Sequence, residues 1–319
     1  MTVLIAGVGY IGAPLALACL ARGESVVGLD NFFCTSPRSI NELRRHPRFR
    51  LIRGSISSAR TLDTVLAYGP YSTIHLLAAQ PSANPRAASV SYTERTNLIG
   101  PRMLLDLATV SGSPRIVLGS SFHVYGTPLT GCVDETRAFG SFSDMSHLSK
   151  VYVEKLLEMY TRSHSLTGVS VRLGIVYGLG LVMKSNPLFL TVPNLFARRA
   201  ACGEPLEINA QASAPMGFIH LDDAVSALLA AERLADPYTA ANAATEALTI
   251  REVAFAVRDA ARERQLNVAI TPAQNTGEKV SRFTASSRLQ EIGWSPTERL
   301  RDRVGEVIDY AREGKWPEY

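Results

Sequence analysis

The chain has 319 residues, of which 46% are hydrophobic and 19% are charged, and its formal net charge is +4. This composition is typical of a soluble globular protein with a well-buried core. The small charge is spread along the chain, which argues against nucleic-acid binding, and no segment has the length and apolarity of a membrane span. The four cysteines, Cys19, Cys34, Cys132 and Cys202, form no Cys-x-x-Cys pair. Neither a metal centre nor a disulfide framework is therefore predicted, and a cytoplasmic protein is expected.

The first thirty-one residues predict a strand, a tight turn, a helix and a second strand. The apolar run from Thr2 ends in Gly7-x-Gly9-x-x-Gly12, a helix-like run follows, and a β-branched run ends at Asp30. This βαβ arrangement is typical of a dinucleotide site, in which glycines permit the turn, the approach of a pyrophosphate and close helix packing. The helix N-terminus favours the anion. Asp30 would bind ribose hydroxyls and repel a 2′-phosphate, so NAD is favoured over NADP.

Downstream of Asn31 the pattern predicts strands and helices in alternation. Apolar runs typical of strands span 49–55, 72–79, 114–121 and 168–177, and helix-like periodicity spans 40–45, 62–68, 92–110 and 147–163. Such alternation indicates a parallel doubly wound sheet. The predicted class is therefore α/β, with a Rossmann-type NAD-binding domain in residues 1–177.

After Tyr177 the regular alternation stops. Helices are predicted at 192–201, 248–264, 286–292 and 300–312, and an Ala-rich helix that follows Asp223 is predicted to end near Leu234. Residues 214–245 are expected to return to the first domain, whereas 178–213 and 246–319 are expected to form a smaller C-terminal substrate lobe. Since ligands of such sheets bind beyond the carboxyl ends of the strands, the substrate is expected between the two units.

Further motifs follow the βαβ unit in a characteristic order. They are Leu77-Ala78-Ala79-Gln80, Thr96-Asn97, Gly119 to Gly126, Ser149-Lys150, Arg172 to Gly178, His220-Leu-Asp222-Asp223 and Ile292-Gly-Trp294-Ser-Pro296. Together they resemble the extended short-chain dehydrogenases/reductases, in particular the NAD-dependent epimerase/dehydratase family and its UDP-galactose 4-epimerase-like members. The resemblance covers almost the whole chain.

The resemblance implies NAD as cofactor and a nucleotide sugar as substrate. The implied cofactor-binding residues are Gly7, Gly9, Tyr10, Ile11, Gly12, Asp30, Asn31, Ser55, Ile56, Leu77, Ala78, Ala79, Asn97, Ser120, Lys150 and Ile175. The candidate substrate-binding residues are Gln80, Ser121, Phe122, His123 and Met216, at positions that the resemblance implies, together with Arg198 and Arg199. It also implies a homodimer, formed through the helices at 92–110 and 147–163.

In the family, a tyrosine takes the hydroxyl proton of the sugar, a lysine four residues later lowers its pKa, and a serine or threonine polarises the oxygen. The hydroxyl corresponds to Ser121 and the lysine to Lys150, but Ser146 stands where the tyrosine is expected. A serine hydroxyl is too weak an acid to serve unless an adjacent base assists it. His123 or His147 could be that base, since histidine titrates near neutrality. Substrate-assisted chemistry, or no redox reaction at all, are the other possibilities.

Other departures bear on the reaction. Family dehydratases carry Asp-Glu where this chain has Phe122-His123, so an epimerase is favoured over a dehydratase. Met216 replaces an arginine that grips a diphosphate, and Arg198 or Arg199 could substitute for it. Two alternatives stay open, namely an oxidoreductase or isomerase of the same fold that acts on a non-sugar substrate, and a non-catalytic NAD-binding scaffold or sensor.

Overall fold

A seven-stranded parallel sheet lies at the centre of the computed structural model, which describes residues 1–112, 115–208, 214–271 and 282–317. In spatial order its strands are β11 (Tyr238–Ala243), β7 (Thr167–Leu173), β5 (Arg115–Ser121), β4 (Thr73–Leu76), β1 (Thr2–Ala6), β2 (Ser25–Asp30) and β3 (Phe49–Arg53). Every neighbouring pair is parallel. The strand order reverses between β1 and β4, where doubly wound sheets bind their ligands. The predicted Rossmann-type fold is confirmed.

Helices cover both faces of this sheet, because a parallel strand must be reached through a crossover. Alternate residues of β1 serve the two cores: Val3 and Ile5 pack on one face, Leu4 and Ala6 on the other. The first face is covered by α1 (Gly12–Ala21) and α8 (Leu221–Ala231), and the second by α3 (Ala59–Leu66), α5 (Gly100–Val110) and α6 (Met145–Ser163). The strands are buried on both sides, which explains their nearly continuous apolar sequences.

The elements after Tyr177 that lie outside the central sheet, α8 excepted, are called the smaller lobe. Its helices α7 (Val192–Ala201), α9 (Ile250–Glu263) and α10 (Leu300–Arg312) pack on one another. Three short sheets join β8 (Ile175–Tyr177) and β12 (Glu246–Leu248) to β10 (Met216–His220), β9 (Leu206–Glu207) to β13 (Ile270–Thr271), and β6 (Gly131–Val133) to β14 (Phe283–Ala285). Two short helices, α2 (Asn41–Arg45) and α4 (Val90–Glu94), and 3-10 turns at Pro37–Ile40, Phe122–Tyr125, Pro187–Phe189 and Arg288–Ile292 complete the described elements.

The prediction of one strand over 168–177 is wrong, because this segment forms two strands in different sheets. β7 ends at Leu173 in the central sheet, and β8 pairs with β10 outside it. Gly174 allows the change of sheet, since a Cβ at this residue would lie 2.9 Å from the backbone of Gly217. Both halves are apolar and β-branched, so the pattern alone shows no break.

The helix predicted over 92–110 begins two residues earlier and is not uniform. Between α4 and α5 the chain makes a π-helical segment at Arg95–Ile99. This segment contains Asn97, which is buried and holds the backbone of Gln80 by two hydrogen bonds. The helix predicted over 286–292 is a short 3-10 turn instead.

Parts of the predicted domain division lie outside the described residues, namely 209–213, 272–281 and 318–319, as does Pro114 of the predicted fifth strand. From the segment 214–245, β11 lies at the edge of the central sheet, whereas β10 belongs to a small sheet with β8. Within the described residues, the structure contains no helix with the length and apolar character needed to span a bilayer.

Candidate active site

A cleft of about 410 Å³ opens along the carboxyl ends of the central strands. The glycine-rich turn after β1, the end of β2 and the segment after β4 line one part of it. The end of β5, the first turns of α6 and the loop before α7 line the rest. The cleft therefore lies at the reversal of strand order, between the sheet and the smaller lobe.

The turn between β1 and α1 fits a dinucleotide. Gly7 has φ +102°, a conformation that other residues rarely adopt, and a Cβ at Gly12 would lie 1.9 Å from the Gly7 carbonyl oxygen. At Gly9 a Cβ would meet no described atom within 4 Å, so this side of the turn is open to a ligand. Ile11 precedes α1 without any side-chain cap. The Ala13 N–H is bonded to the Gly9 carbonyl oxygen at 2.9 Å, and the Gly12 N–H at the start of the helix has no side-chain acceptor among the described residues that would compete with an anion.

Asp30 ends β2 at the same rim. Its Oδ1 accepts a hydrogen bond from the Phe32 backbone N–H at 2.6 Å, and burial raises the pKa of this carboxyl above its usual value. The neighbouring Asn31 donates to the Tyr92 hydroxyl at 3.0 Å, and the Phe33 ring stacks on Tyr92 with 4.0 Å between centroids. A carboxylate and an aromatic pair at the end of the second strand suit an adenosine ribose and base.

Lys150 and Ser121 meet at the opposite part of the cleft. The Lys150 ammonium donates to the Gly119 carbonyl oxygen at 2.8 Å, and burial lowers the pKa of Lys150 to about 8. Ser121 is the last residue of β5. Behind them the Ser120 hydroxyl donates to the Glu154 carboxylate, which is fully buried and pairs with Arg172 at 2.8 Å.

Two histidines and a carboxylate adjoin Ser121. The Ser121 Oγ lies 3.1 Å from His123 Nδ1, and the rings of His123 and His147 stack with 4.5 Å between centroids at an angle of 12°. The His147 Nδ1 lies 2.7 Å from Asp144 Oδ2. Burial, and then the neighbouring His147, lower the pKa of His123 to about 4, so this ring is neutral at pH 7.

α6 begins at this group of residues, which fixes their geometry. Asp144 is its N-cap, and its Oδ1 accepts a hydrogen bond from the His147 backbone N–H at 3.0 Å. The same carboxylate thus caps the helix with one oxygen and orients the imidazole with the other. Ser146 is buried, and its hydroxyl donates to the Gln80 carbonyl oxygen at 3.3 Å.

Most residues predicted for the site line the cleft. They are Gly7, Gly9, Tyr10, Ile11, Gly12, Asp30, Asn31, Ser55, Ile56, Leu77, Ala78, Ala79, Ser120, Ser121, His123, Ser146, His147, Lys150 and Ile175. Their individual roles stay predictions, but the structure brings them together around one space.

Four predicted residues lie behind the lining instead. Gln80 and Asn97 are each 3% exposed and hydrogen-bond to each other, so they support the strand end. Phe122 is in a small core, stacked on Phe283. Met216 packs on the main core from β10. Each of these residues was predicted because it belongs to a sequence motif of the site. A motif does not show which of its side chains point into the cleft.

Arg198 and Arg199 do not line the cleft either. Both lie in the last turn of α7, where Arg198 lies over the Trp316 ring at 5.7 Å and Arg199 pairs with Glu204 and Glu207. Partners outside the cleft occupy both guanidinium groups. Their predicted contact with a diphosphate is therefore not supported by this geometry.

Several residues that line the cleft were not predicted from the sequence, among them Phe33, Tyr92, Lys184 and Thr191. Lys184 is the only charged residue between Tyr177 and Arg198, and this isolation in an otherwise apolar loop was the available signal. Phe33 and Tyr92 gave no such signal in the sequence, because they are distant along the chain and come into contact only in the fold.

One group of potential metal ligands exists in the described part of the chain, away from the cleft. Cys19, His75 and Glu232 bring their ligand atoms within 4.8 Å of one another on the α1 face of the sheet. The Glu232 carboxylate already accepts hydrogen bonds from His75 and Arg22, each at 2.9 Å. The Glu232 carboxylate is therefore occupied by an ion pair with Arg22 and a hydrogen bond with His75.

Comparison with known proteins agrees with this geometry. Residues 3–244 match the model of the NAD dependent epimerase/dehydratase family. A UDP-glucose 4-epimerase of Mycolicibacterium smegmatis is 24% identical over 98% of both chains, and UDP-glucuronic acid decarboxylase 3 of Arabidopsis thaliana is 26% identical over 95% of this chain and 86% of that protein. The solved structure of the UDP-glucose 4-epimerase of Thermus thermophilus in complex with NAD has a TM-score of 0.83 at 24% identity, and the match covers 98% of this chain and 99% of that one. This chain belongs to the NAD-dependent epimerase/dehydratase family and is an enzyme of that family that uses NAD.

Proposed function

We propose that the protein is an epimerase of a UDP-linked sugar and that a histidine–aspartate pair replaces the family's tyrosine. Relatives along the whole chain are named for UDP-sugar substrates. The observation that carries the proposal is the Asp144–His147 pair, whose imidazole stacks on His123 beside Ser121 and lines the same cleft as Lys150.

In this proposal His147 is the proton acceptor. Its Nδ1 is engaged by Asp144, which leaves Nε2 to take the proton of a sugar hydroxyl, and the carboxylate stabilises the resulting imidazolium. NAD, when bound, supplies the acceptor and donor of the hydride. Ser121 polarises the same sugar oxygen, and the neutral His123 holds the serine hydroxyl in place. Return of the proton from His147 completes the reaction, so no net proton is consumed.

Lys150 does not accept the proton in this proposal but acts through its positive charge. Its ammonium is held on the Gly119 carbonyl oxygen, and the resemblance assigns this lysine to the nicotinamide ribose. A cation here also favours the negative charge that develops on a sugar oxygen as its proton leaves. Its pKa of about 8 keeps most of it charged at neutral pH.

The lining of the cleft supports an epimerase over a dehydratase. Dehydratases of the family eliminate water with an Asp-Glu pair that acts as acid and base near the sugar. Asp30 is the only carboxylate among the described lining residues, and it ends β2, where we propose that the adenosine ribose binds. Phe122, at a position where dehydratases carry a carboxylate, is buried in a small apolar core.

The test is incubation with NAD and a panel of UDP-, dTDP- and GDP-sugars, followed by chromatography with mass detection. A new peak of unchanged mass from a UDP-sugar is expected. A product lighter by one water would indicate a dehydratase, and loss of carbon dioxide from UDP-glucuronate would indicate a decarboxylase. No conversion of any sugar, with NAD still bound, would contradict the proposal and favour a non-sugar substrate or a scaffold. Lys150→Met is the inactive control.

We also propose that the enzyme is a homodimer. α6 presents a stripe of exposed apolar side chains, Leu148, Tyr152 and Met159, at helical spacing. Ile99, on the neighbouring π-helical segment, is exposed as well. Exposed large apolar groups that cluster on one face are typical of an interface.

A reducing compartment, the cytoplasm, is proposed as its location. All four cysteines are free in the structure, and two of them, Cys132 and Cys202, are exposed. Exposed thiols persist where the environment keeps them reduced. Cell fractionation that found the native protein in an oxidising compartment would contradict this.

A further inference from the structure

Lys184 projects into the cleft from the loop between β8 and α7. Its ammonium donates to the Phe189 carbonyl oxygen at 3.0 Å and lies 5.7 Å from the centroid of the Tyr10 ring. Tyr10 belongs to the glycine-rich turn. Lys184 therefore faces, from the smaller lobe, the turn at which a dinucleotide would bind.

This lysine has no carboxylate partner in the described part of the chain. Burial lowers its pKa, and among acidic groups only the nearby Cys34 thiol, which is not a carboxylate, acts in the opposite direction. A partly desolvated ammonium bound only to one carbonyl oxygen is costly unless an anion completes its environment. No arginine lines the described cleft, and the other lining lysine, Lys150, is engaged at the Ser121 end.

A second feature beside Lys184 also fits an anion. Thr191 precedes α7, and its hydroxyl is buried without a hydrogen-bond partner among the described residues. It makes no cap to the helix, so the Val192 and Asn194 N–H groups have no side-chain acceptor among the described residues, and Pro193 between them has no N–H. Lys184, Thr191 and the N-terminus of α7 thus share one part of the cleft wall.

Contacts between the lobes hold Lys184 against the turn. The Tyr10 hydroxyl donates to the Gly178 carbonyl oxygen at 2.7 Å and accepts from the Asn194 side chain at 3.1 Å. Gly178 and Asn194 flank the loop that carries Lys184, so the position of this loop is tied to the glycine-rich turn. Lys184 and the N-terminus of α1 therefore both adjoin the glycine-rich turn.

We propose that Lys184 binds the pyrophosphate of NAD from the smaller lobe and so closes the cofactor site across the cleft. The pyrophosphate is the anion that the glycine-rich turn holds against the N-terminus of α1. An ammonium suits it as a point charge. The proposal rests on NAD binding alone and does not depend on the sugar reaction.

The test measures binding of NAD, ADP, adenosine and UDP to full-length Lys184→Met and Lys184→Arg by calorimetry at two salt concentrations. Lys184→Met is expected to weaken NAD and ADP about tenfold or more, to reduce the salt dependence of NAD binding, and to leave adenosine and UDP unchanged. Lys184→Arg should recover part of the affinity. Lys315→Gln, which changes an exposed lysine, is the matched control.

Three results would overturn the inference. Unchanged NAD affinity in Lys184→Met would show that the lysine does not contact the pyrophosphate. Loss of UDP affinity alone would assign it to the diphosphate of the sugar substrate. Equal loss for adenosine would indicate a change of structure, which the thermal midpoint of each variant would reveal. Because none of these measurements needs turnover, failure of the sugar epimerase proposal would leave their outcome unaffected.

Discussion

Ser146 occupies the helix position four residues before Lys150, where the family carries its tyrosine, and the structure shows what this residue does. It is 5% exposed and donates to a backbone carbonyl oxygen. A hydroxyl used in this way supports the start of α6 and cannot relay a proton at neutral pH without a base beside it. In the proposed mechanism, the neighbouring His147 with its partner Asp144 is that base.

Asp144→Asn separates the two tasks of this carboxylate. Asparagine is an equally good N-cap, so the helix should keep its stability, but the partner of His147 loses its charge. We expect kcat to fall about a hundredfold or more with little change in the thermal midpoint. Steady-state kinetics and thermal unfolding measure both.

Two further variants control this prediction. Asp144→Ala should lose the same activity and also about 1 kcal/mol of stability, because the cap is removed as well. His147→Gln should lose at least as much activity as Asp144→Asn, since the pair acts as a unit. Full activity in Asp144→Asn would remove the carboxylate from the mechanism.

His123 makes the stability of the protein depend on acid. Its pKa in the folded protein is about 4, below the usual 6.5. Between these pH values the unfolded chain binds a proton that the native state does not, so this contribution is complete above about 6.5 and is lost as the pH falls toward about 4. His123→Gln should therefore show a smaller loss of stability than the parent over that range. Urea denaturation at a series of pH values measures it, and equal losses would contradict a buried neutral ring.

At the scale of elements, the sequence predicts the structure best where residues close together in the chain determine the local fold. The turn of Gly7, Gly9 and Gly12 predicts the strand, the helix and the open side toward a ligand, because each glycine meets a steric demand of the backbone. The break at Gly174 could not be predicted, since it depends on Gly217, which is distant in sequence. Likewise, Lys184 lies near the glycine-rich turn because Tyr10 of that turn hydrogen-bonds to Gly178 and Asn194 on either side of the loop. No sequence motif contains Lys184.

The glycine-rich turn allows a matched pair of variants. Gly9→Ala adds a methyl group where no described atom lies within 4 Å, so the fold should be unaffected while NAD binding weakens about tenfold or more. Gly12→Ala places its Cβ 1.9 Å from the Gly7 carbonyl oxygen and should lower the thermal midpoint strongly. Normal NAD affinity in Gly9→Ala would show that the pyrophosphate does not approach this residue.

At the scale of the whole molecule, the cleft is formed by two parts of the protein, the central sheet and the smaller lobe. The central sheet fixes Asp30, Ser121 and Lys150 at strand and helix ends, and the buried pair of Glu154 and Arg172 holds α6 against β7. The smaller lobe contributes a loop and the N-terminus of α7. Binding of NAD between them should therefore stabilise both parts together. We expect a single thermal unfolding transition whose midpoint temperature rises with the concentration of NAD.

The exposed stripe on α6 gives the last prediction, which concerns assembly. Tyr152 and Met159 lie seven residues apart on one helix face, 40% and 53% exposed in the isolated chain. If this face joins two chains, both side chains become buried, and a lysine at each position would place two unpaired charges in the interface. Tyr152→Lys/Met159→Lys should weaken the dimer about a hundredfold or more, as measured by sedimentation equilibrium. Phe255→Lys, at an exposed aromatic residue on α9, should leave the dimer intact. A double variant that still sediments as two chains would place the interface elsewhere, whereas a monomeric parent protein would show that this stripe has no second copy to cover it.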